Sequence, residues 1–185
     1  PDVVTNSTAE HTIALMLSLS RLIPEADKFT RTGKFKEWSP NIFLGTELKG
    51  KTLGIVGLGR IGKAVAKIAL DGFGMNIIYY SNKKDEEFEK KGVKFTELNN
   101  LLKNSDFVSL HVPLNENTKY LINEEKLSLM KKDSYLINTS RGKVINEKAL
   151  VKSLKERKIS GAALDVFENE PNLASGLKRI KNVIL

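Results

Sequence analysis

A chain of 185 residues, 41% hydrophobic and 28% charged, is long enough for one domain with a substantial core. It has no cysteine and two histidines set far apart, which excludes disulfides, thiolate nucleophiles and Cys-ligated metal and leaves no metal site expected; no apolar run reaches the roughly 20 residues of a membrane span, and nothing at its start suggests export, so the cytoplasm is the default. Its 30 Lys and Arg against 22 Asp and Glu give a net +8, but the lysines are dispersed and not interleaved with aromatics, so a nucleic-acid partner is not expected.

Residues 1–6 read as an extended lead-in. Ser7-Thr8-Ala9-Glu10 is a capping-box pattern, and Ile13, Leu15, Met16, Leu17, Leu19 and Leu22 follow on more than one side of a helix over 8–23. That helix is expected to be largely buried, with apolar residues to spare for a second copy of the chain. Pro24, Gly33, Pro40, Gly45 and Gly50 punctuate the next stretch, which carries Trp38 and a short helix over 25–32. Residues 1–50 thus form a helix and loop packed on a core of 51–185.

From Lys51 the pattern alternates. Strands are expected at 52–56, 76–80, 93–95, 107–110, 134–137, 162–164 and 183–185, with helices over 61–70, 97–103, 123–129 and 147–156 between most of them. Continuous apolar strands separated by amphipathic helices give an α/β fold, a doubly wound parallel sheet covered on both faces.

Gly57-Leu58-Gly59-Arg60-Ile61-Gly62 has the G-x-G-x-x-G form, set between the first strand and the first helix of that core. In such a place the first glycine makes the turn, the second lets backbone approach a pyrophosphate and the third lets the helix pack on the sheet. A simple structural turn would use the same glycines. The acid that usually grips an adenine ribose, about 20 residues on, is replaced by Ser81, followed by Asn82, Lys83 and Lys84. That loop suits a 2′-phosphate, or is a solvated turn; Asp85 and Glu86 are expected to face solvent on the helix after it.

With these motifs goes a resemblance. The segments Ala9-Glu10-His11-Thr12, 51–62, His111-Val112-Pro113-Leu114, 136–142 and 164–171 stand in the order of the D-isomer-specific 2-hydroxyacid dehydrogenases, and the chain is most similar to their glyoxylate and hydroxypyruvate reductases. The resemblance implies a Rossmann-type domain that binds NADP or NAD. It implies cofactor contacts at Leu58, Gly59, Arg60 and Ile61, at Ser81, Asn82 and Lys83, and at Val112, Pro113 and Thr118. Thr139, Ser140, Arg141 and Asp165 would lie near the nicotinamide, with Asp165 on its carboxamide. Arg141 would hold and polarise a small 2-keto acid, and Glu170 would support a catalytic histidine. Taken alone, Arg141 reads as a surface turn and Glu170 as an exposed loop acid.

Neither His111, near the cofactor, nor His11, expected in a packed or capping role, matches the catalytic histidine. In the family it follows a strand like 182–185, just past the last residue, and the substrate domain lies outside this segment as well. The expected behaviour is therefore dinucleotide binding without turnover by the segment alone, use of both NADPH and NADH by the parent enzyme, and a homodimer. A corepressor-like dinucleotide sensor of the same fold is the alternative.

Overall fold

The computed structural model describes residues 3–39 and 41–185; Pro1, Asp2 and Pro40 lie outside the described residues. Two helices come first, α1 (Thr5–Ser20) and α2 (Ile23–Arg31). Then follow β1 (Thr52–Val56), α3 (Arg60–Phe73), β2 (Asn76–Tyr80), α4 (Glu86–Glu89), β3 (Lys94–Phe95), α5 (Leu98–Asn104) and β4 (Phe107–Leu110). The second half adds α6 (Glu124–Leu129), β5 (Tyr135–Asn138), α7 (Glu147–Lys155), β6 (Gly161–Leu164) and β7 (Val183–Ile184). The seven strands form one parallel sheet in the order β3-β2-β1-β4-β5-β6-β7. This is the expected doubly wound Rossmann-type fold.

Side-chain alternation along the strands divides the core between the two faces. Leu53, Ile55, Ile77, Phe107, Ile137 and Ala163 pack with α1 and α3. Val56, Val108, Leu110, Leu136, Ala162 and Leu164 pack with α5, α6 and α7. β1 is central, with Leu53 opposite Ile77 on one side and Phe107 on the other. From β1 the chain runs outward to β2 and β3, then crosses back to β4. The strand order therefore reverses between β1 and β4, and the crevice at their carboxyl ends is where such folds take ligands.

α1 departs from its expected form. It begins at Thr5, not after a Ser7 cap, and Val4 is its N-cap residue with no side-chain hydrogen bond. Ser7 is already inside the helix, where its hydroxyl donates back to the Val4 carbonyl at 3.2 Å, and Glu10 is exposed. The extended lead-in is thus absent from Thr5 and Asn6. α1 ends at Ser20 because Leu22 takes a left-handed conformation (φ 57°) and starts α2 one residue later. One face of α1 is buried, through Ala9, Thr12, Ile13, Met16 and Leu19, against α3 and the sheet. Its apolar surplus is absorbed largely within the chain, for Leu15 and Leu17 also pack on this core. Exposed apolar side chains flank it: Val3 and Val4 come before, and Ile23, Phe35, Trp38 (80% exposed) and Leu44 (72%) after.

Candidate functional site

The glycine turn joins β1 to α3 at the crevice. Gly57 sits at φ +100°, and its amide donates to the Tyr80 carbonyl at 2.8 Å. A Cβ there would lie 2.7 Å from the His111 carbonyl oxygen, so the position excludes a side chain both by conformation and by space. A Cβ on Gly62 would collide with the Gly57 carbonyl oxygen and lie 3.2 Å from Ile55 Cγ2 of β1, so the third glycine lets α3 pack close to the turn as well as to the sheet. Gly59 is different: it lies at φ −78°, and no atom is within 4 Å of where its Cβ would be. It is the N-cap residue of α3, and no side chain caps that helix. A helix N-terminus with its positive end left open beside bare backbone is suited to an anion such as a pyrophosphate.

A cleft of about 250 Å³ opens at this point. Gly57, Leu58 and Gly59 form one wall, Tyr80, Ser81 and Asn82 another, and His111, Val112, Pro113, Asn115, Asn117, Thr118 and Leu121 the third. Eight residues expected at a cofactor therefore share one cleft: Gly57, Leu58, Gly59, Ser81, Asn82, Val112, Pro113 and Thr118. Arg60, Ile61 and Gly62 continue into the first turn of α3, and Lys83 is exposed on the loop beyond Asn82.

Tyr80, Asn115, Asn117 and Leu121 were not singled out in the sequence. The signal for part of this wall is an Asx turn, in which Asn115 Oδ1 accepts from the amides of Asn117 (3.0 Å) and Thr118 (3.1 Å). Thr118 Oγ1 donates to the Pro113 carbonyl at 2.6 Å and accepts from the Asn115 amide, so its hydroxyl serves the loop. His111 Nε2 is 2.8 Å from Ser109 Oγ. Burial pushes its imidazole down to about 4, so it is neutral at physiological pH.

The loop after β2 carries no carboxylate into the cleft. Asp85 does not face solvent as expected: it caps α4 by accepting from the Phe88 amide at 2.9 Å and pairs with Lys63 of α3. That ammonium, with the Phe88 amide, holds the Asp85 carboxyl below its ordinary value. Lys84 lies 5.1 Å over the Phe95 ring, on β3. Ser81, Asn82 and Lys83 are what the loop presents.

The second half of the site follows β5 and β6. Buried Asn138, the last residue of β5, builds the turn that displays Arg141. Its Oδ1 accepts from the Ser140 amide and hydroxyl at 3.0 and 2.8 Å, and its Nδ2 donates to the Arg141 carbonyl at 3.1 Å. Arg141 is exposed, with Nη1 donating to the Ser140 carbonyl at 2.6 Å. Asp165 follows β6. Its Oδ1 is 3.2 Å from His11 Nε2, both side chains being about half exposed, and Thr12 Oγ1 is 2.9 Å from Thr139 Oγ1 in a buried contact. His11 is therefore neither packed inside nor a cap, because α1 is set in register by Thr12 and places the preceding residue at the strand ends.

Glu170 Oε1 accepts from the Phe167 amide at 2.8 Å, closing the loop after Asp165 on itself. A reciprocal clasp secures the same loop. The Glu168 amide donates to Glu147 Oε1 at 2.6 Å, the Glu147 amide donates to Glu168 Oε2 at 3.1 Å, and Tyr120 Oη donates to Glu168 Oε1 at 2.6 Å. Desolvation raises the Glu147 carboxyl above its ordinary value, and the amides it accepts from oppose that shift. Among the described residues no cluster of three His, Asp or Glu side chains could hold a metal ion, and no helix is long and apolar enough to cross a membrane.

Residues 13–185 match the family model of the D-isomer specific 2-hydroxyacid dehydrogenase, NAD binding domain. Over 190 residues the chain is 53% identical to the glyoxylate reductase of Thermococcus litoralis, covering 100% of this chain and 57% of that protein. It thus spans little more than half the length of such relatives. A D-lactate dehydrogenase from Aquifex aeolicus, solved with NAD and lactic acid, superposes with a TM-score of 0.83 at 44% identity over 89% of this chain and 49% of its own. An acyclic imino acid reductase solved with NADPH and D-Arg superposes with a TM-score of 0.86 at 38% identity, over 98% and 56% of the two chains.

Proposed function

Since this chain belongs to the D-isomer specific 2-hydroxyacid dehydrogenases, as their NAD-binding domain, we propose that it binds both NADPH and NADH in the Gly57–His111 crevice and serves an enzyme that reduces a small 2-keto acid such as glyoxylate or hydroxypyruvate. The observation that carries the cofactor reading is the Gly59 backbone, open to space at an uncapped helix N-terminus at the sheet's switch point. These residues fit a dinucleotide, with Leu58, Gly59, Arg60 and Ile61 at the pyrophosphate, Ser81, Asn82 and Lys83 at the adenosine ribose, and Val112, Pro113 and Thr118 along the cleft. Bound NAD(P)H supplies the hydride.

The chain's own residues bind and orient. Arg141, held out by the Asn138 turn, offers a guanidinium to the carboxylate and keto oxygen of the substrate. Asp165 accepts from the carboxamide beside Thr139 and Ser140, and Glu170 supports the proton donor. That donor is neither histidine of these 185 residues, since neither stands at the place of the family's catalytic histidine, and His111 is moreover neutral beside Ser109. The segment alone therefore binds dinucleotide without turning it over, while the full-length protein reduces glyoxylate. Dual cofactor use rests on Ser81 standing where an NAD-specific loop has a carboxylate, since an acid there repels a 2′-phosphate. The exposed apolar side chains of Ile23, Phe35, Trp38 and Leu44, which follow α1 in the chain, support a homodimer.

Titration of the segment with NADPH and NADH tests the reading. Both should bind, with neither favoured more than about tenfold, which corresponds to about 1.4 kcal/mol. Ser81→Asp should weaken NADPH sharply and spare NADH. Failure to bind either dinucleotide, or NADPH oxidation by the segment with glyoxylate above background, would overturn it.

A further inference from the structure

The dinucleotide reading assigns Asp165 to a carboxamide but says nothing of what aims it. Asp165 sits just past β6 with its side chain half exposed, a state in which a carboxylate samples several rotamers. One of its two oxygens, Oδ1, is taken by His11 Nε2 at 3.2 Å. An ionised carboxylate only accepts, so Nε2 carries the proton in this contact whatever the charge of the ring. His11 is delivered by a fixed support. Thr12, the next residue, is buried, with Oγ1 2.8 Å from the Thr8 carbonyl and 2.9 Å from Thr139 Oγ1, and this ties α1 to the end of β5.

From this juxtaposition we infer that His11 is a positioning residue for the dinucleotide site, holding Asp165 Oδ1 so that Oδ2 is aimed to accept the N–H of a carboxamide. The inference rests on the proposed dinucleotide reading and extends it to a helix that precedes the glycine turn by some forty positions in the chain. The role is selective for the amide. A ligand bearing a ketone in place of the carboxamide has no N–H to give, so the orientation of Asp165 is of no consequence to it.

Calorimetric titration of the full-length protein with NAD and with its acetylpyridine analogue, in which a methyl ketone replaces the amide, distinguishes this role from general support of the fold. His11→Phe keeps a ring and removes the donor. It should weaken NAD by about fivefold, the loss of one modest hydrogen bond, and leave the analogue within about twofold. His11→Gln, which retains a side-chain N–H donor, should recover most of the NAD affinity. Equal weakening of both ligands, or no change in either, overturns the inference while the wild type still binds NAD. A wild type that binds neither ligand overturns the dinucleotide reading and this inference with it.

Discussion

The first two glycines of the turn should fail in opposite ways when each is replaced by alanine. At Gly57 the new Cβ would stand 2.7 Å from the His111 carbonyl oxygen and 2.9 Å from Val112 Cγ1, whereas ordinary contact begins at 3.4 Å. The end of β4 must retreat by about 0.7 Å, and the residue must also hold φ +100°. Overpacking of this kind costs about 1–3 kcal/mol and the disfavoured backbone about 1–2 more. At roughly 2–4 °C per kcal/mol for a chain of this size, Gly57→Ala should melt about 4–20 °C below wild type. At Gly59 the methyl meets nothing within 4 Å and φ is ordinary, so the entropy gained against the unfolded chain, about 0.4–1 kcal/mol, offsets most of the roughly 0.5–1.5 kcal/mol by which alanine is the poorer N-cap. Gly59→Ala should melt within about 4 °C of wild type. The same methyl, however, occupies the floor of the cleft where backbone must approach a phosphate, and NADPH affinity should fall by at least about tenfold. Differential scanning calorimetry and fluorescence titration on the two variants read both effects. A Gly59→Ala protein that binds dinucleotide as wild type does would refute the assignment of this turn to the pyrophosphate, and an unshifted melting point for Gly57→Ala would refute the close approach.

Three further outcomes follow from the site. Because His111 is held at about 4 rather than its ordinary 6.5, the native state binds fewer protons than the unfolded one between those values; its contribution is intact above pH 6.5 and is lost as pH falls toward 4. His111→Asn should flatten the fall in melting temperature over that range, and an unchanged slope would argue against a desolvated ring. Lys83→Ala should weaken NADPH but not NADH, in a salt-sensitive way, while Lys84→Ala should leave both affinities unchanged and remove only its contact with Phe95, about 0.5–1 kcal/mol or less; NADPH loss in the Lys84 variant would contradict the loop geometry. Paired Trp38→Ser and Leu44→Ser changes should shift the full-length protein toward monomer in light scattering, and an unaltered dimer would exclude this patch from the interface.

The sheet was legible because its strands are short and mostly apolar, and because helices that cross back over the sheet separate most of them. The edges moved where hydrogen bonding outweighs hydropathy. β5 was expected from Ser134, but the Ser134 amide closes a turn onto Lys131, and the polar Asn138 instead completes the strand opposite Leu164. That asparagine was overlooked as a part of the site for the same reason. Its side chain makes no contact that hydropathy records, yet it forms three hydrogen bonds that present Ser140 and Arg141. The sequence leaves Asp85 to solvent, and Lys84 either to a 2′-phosphate or to a solvated turn, because a run of charges gives no sign of which members find partners. One caps a four-residue helix and pairs across to α3, and the other covers an aromatic ring.

The α1 helix shows the limit most clearly. Its apolar content suggested surfaces for a second chain, but a count of apolar residues does not say which of them an adjoining sheet will cover. The sheet and α3 cover Ala9, Ile13, Met16 and Leu19, and that packing fixes the rotation of the helix about its own axis. Once the rotation is fixed, so is the direction of Thr12 and His11, and two polar side chains that looked incidental in the sequence come to rest on Thr139 and Asp165. Polar geometry at the ends of β5 and β6 is thus a consequence of apolar packing some turns away. A core change such as Met16→Ala, which costs about 2–5 kcal/mol at a fully buried site, acts on the helix that carries both contacts.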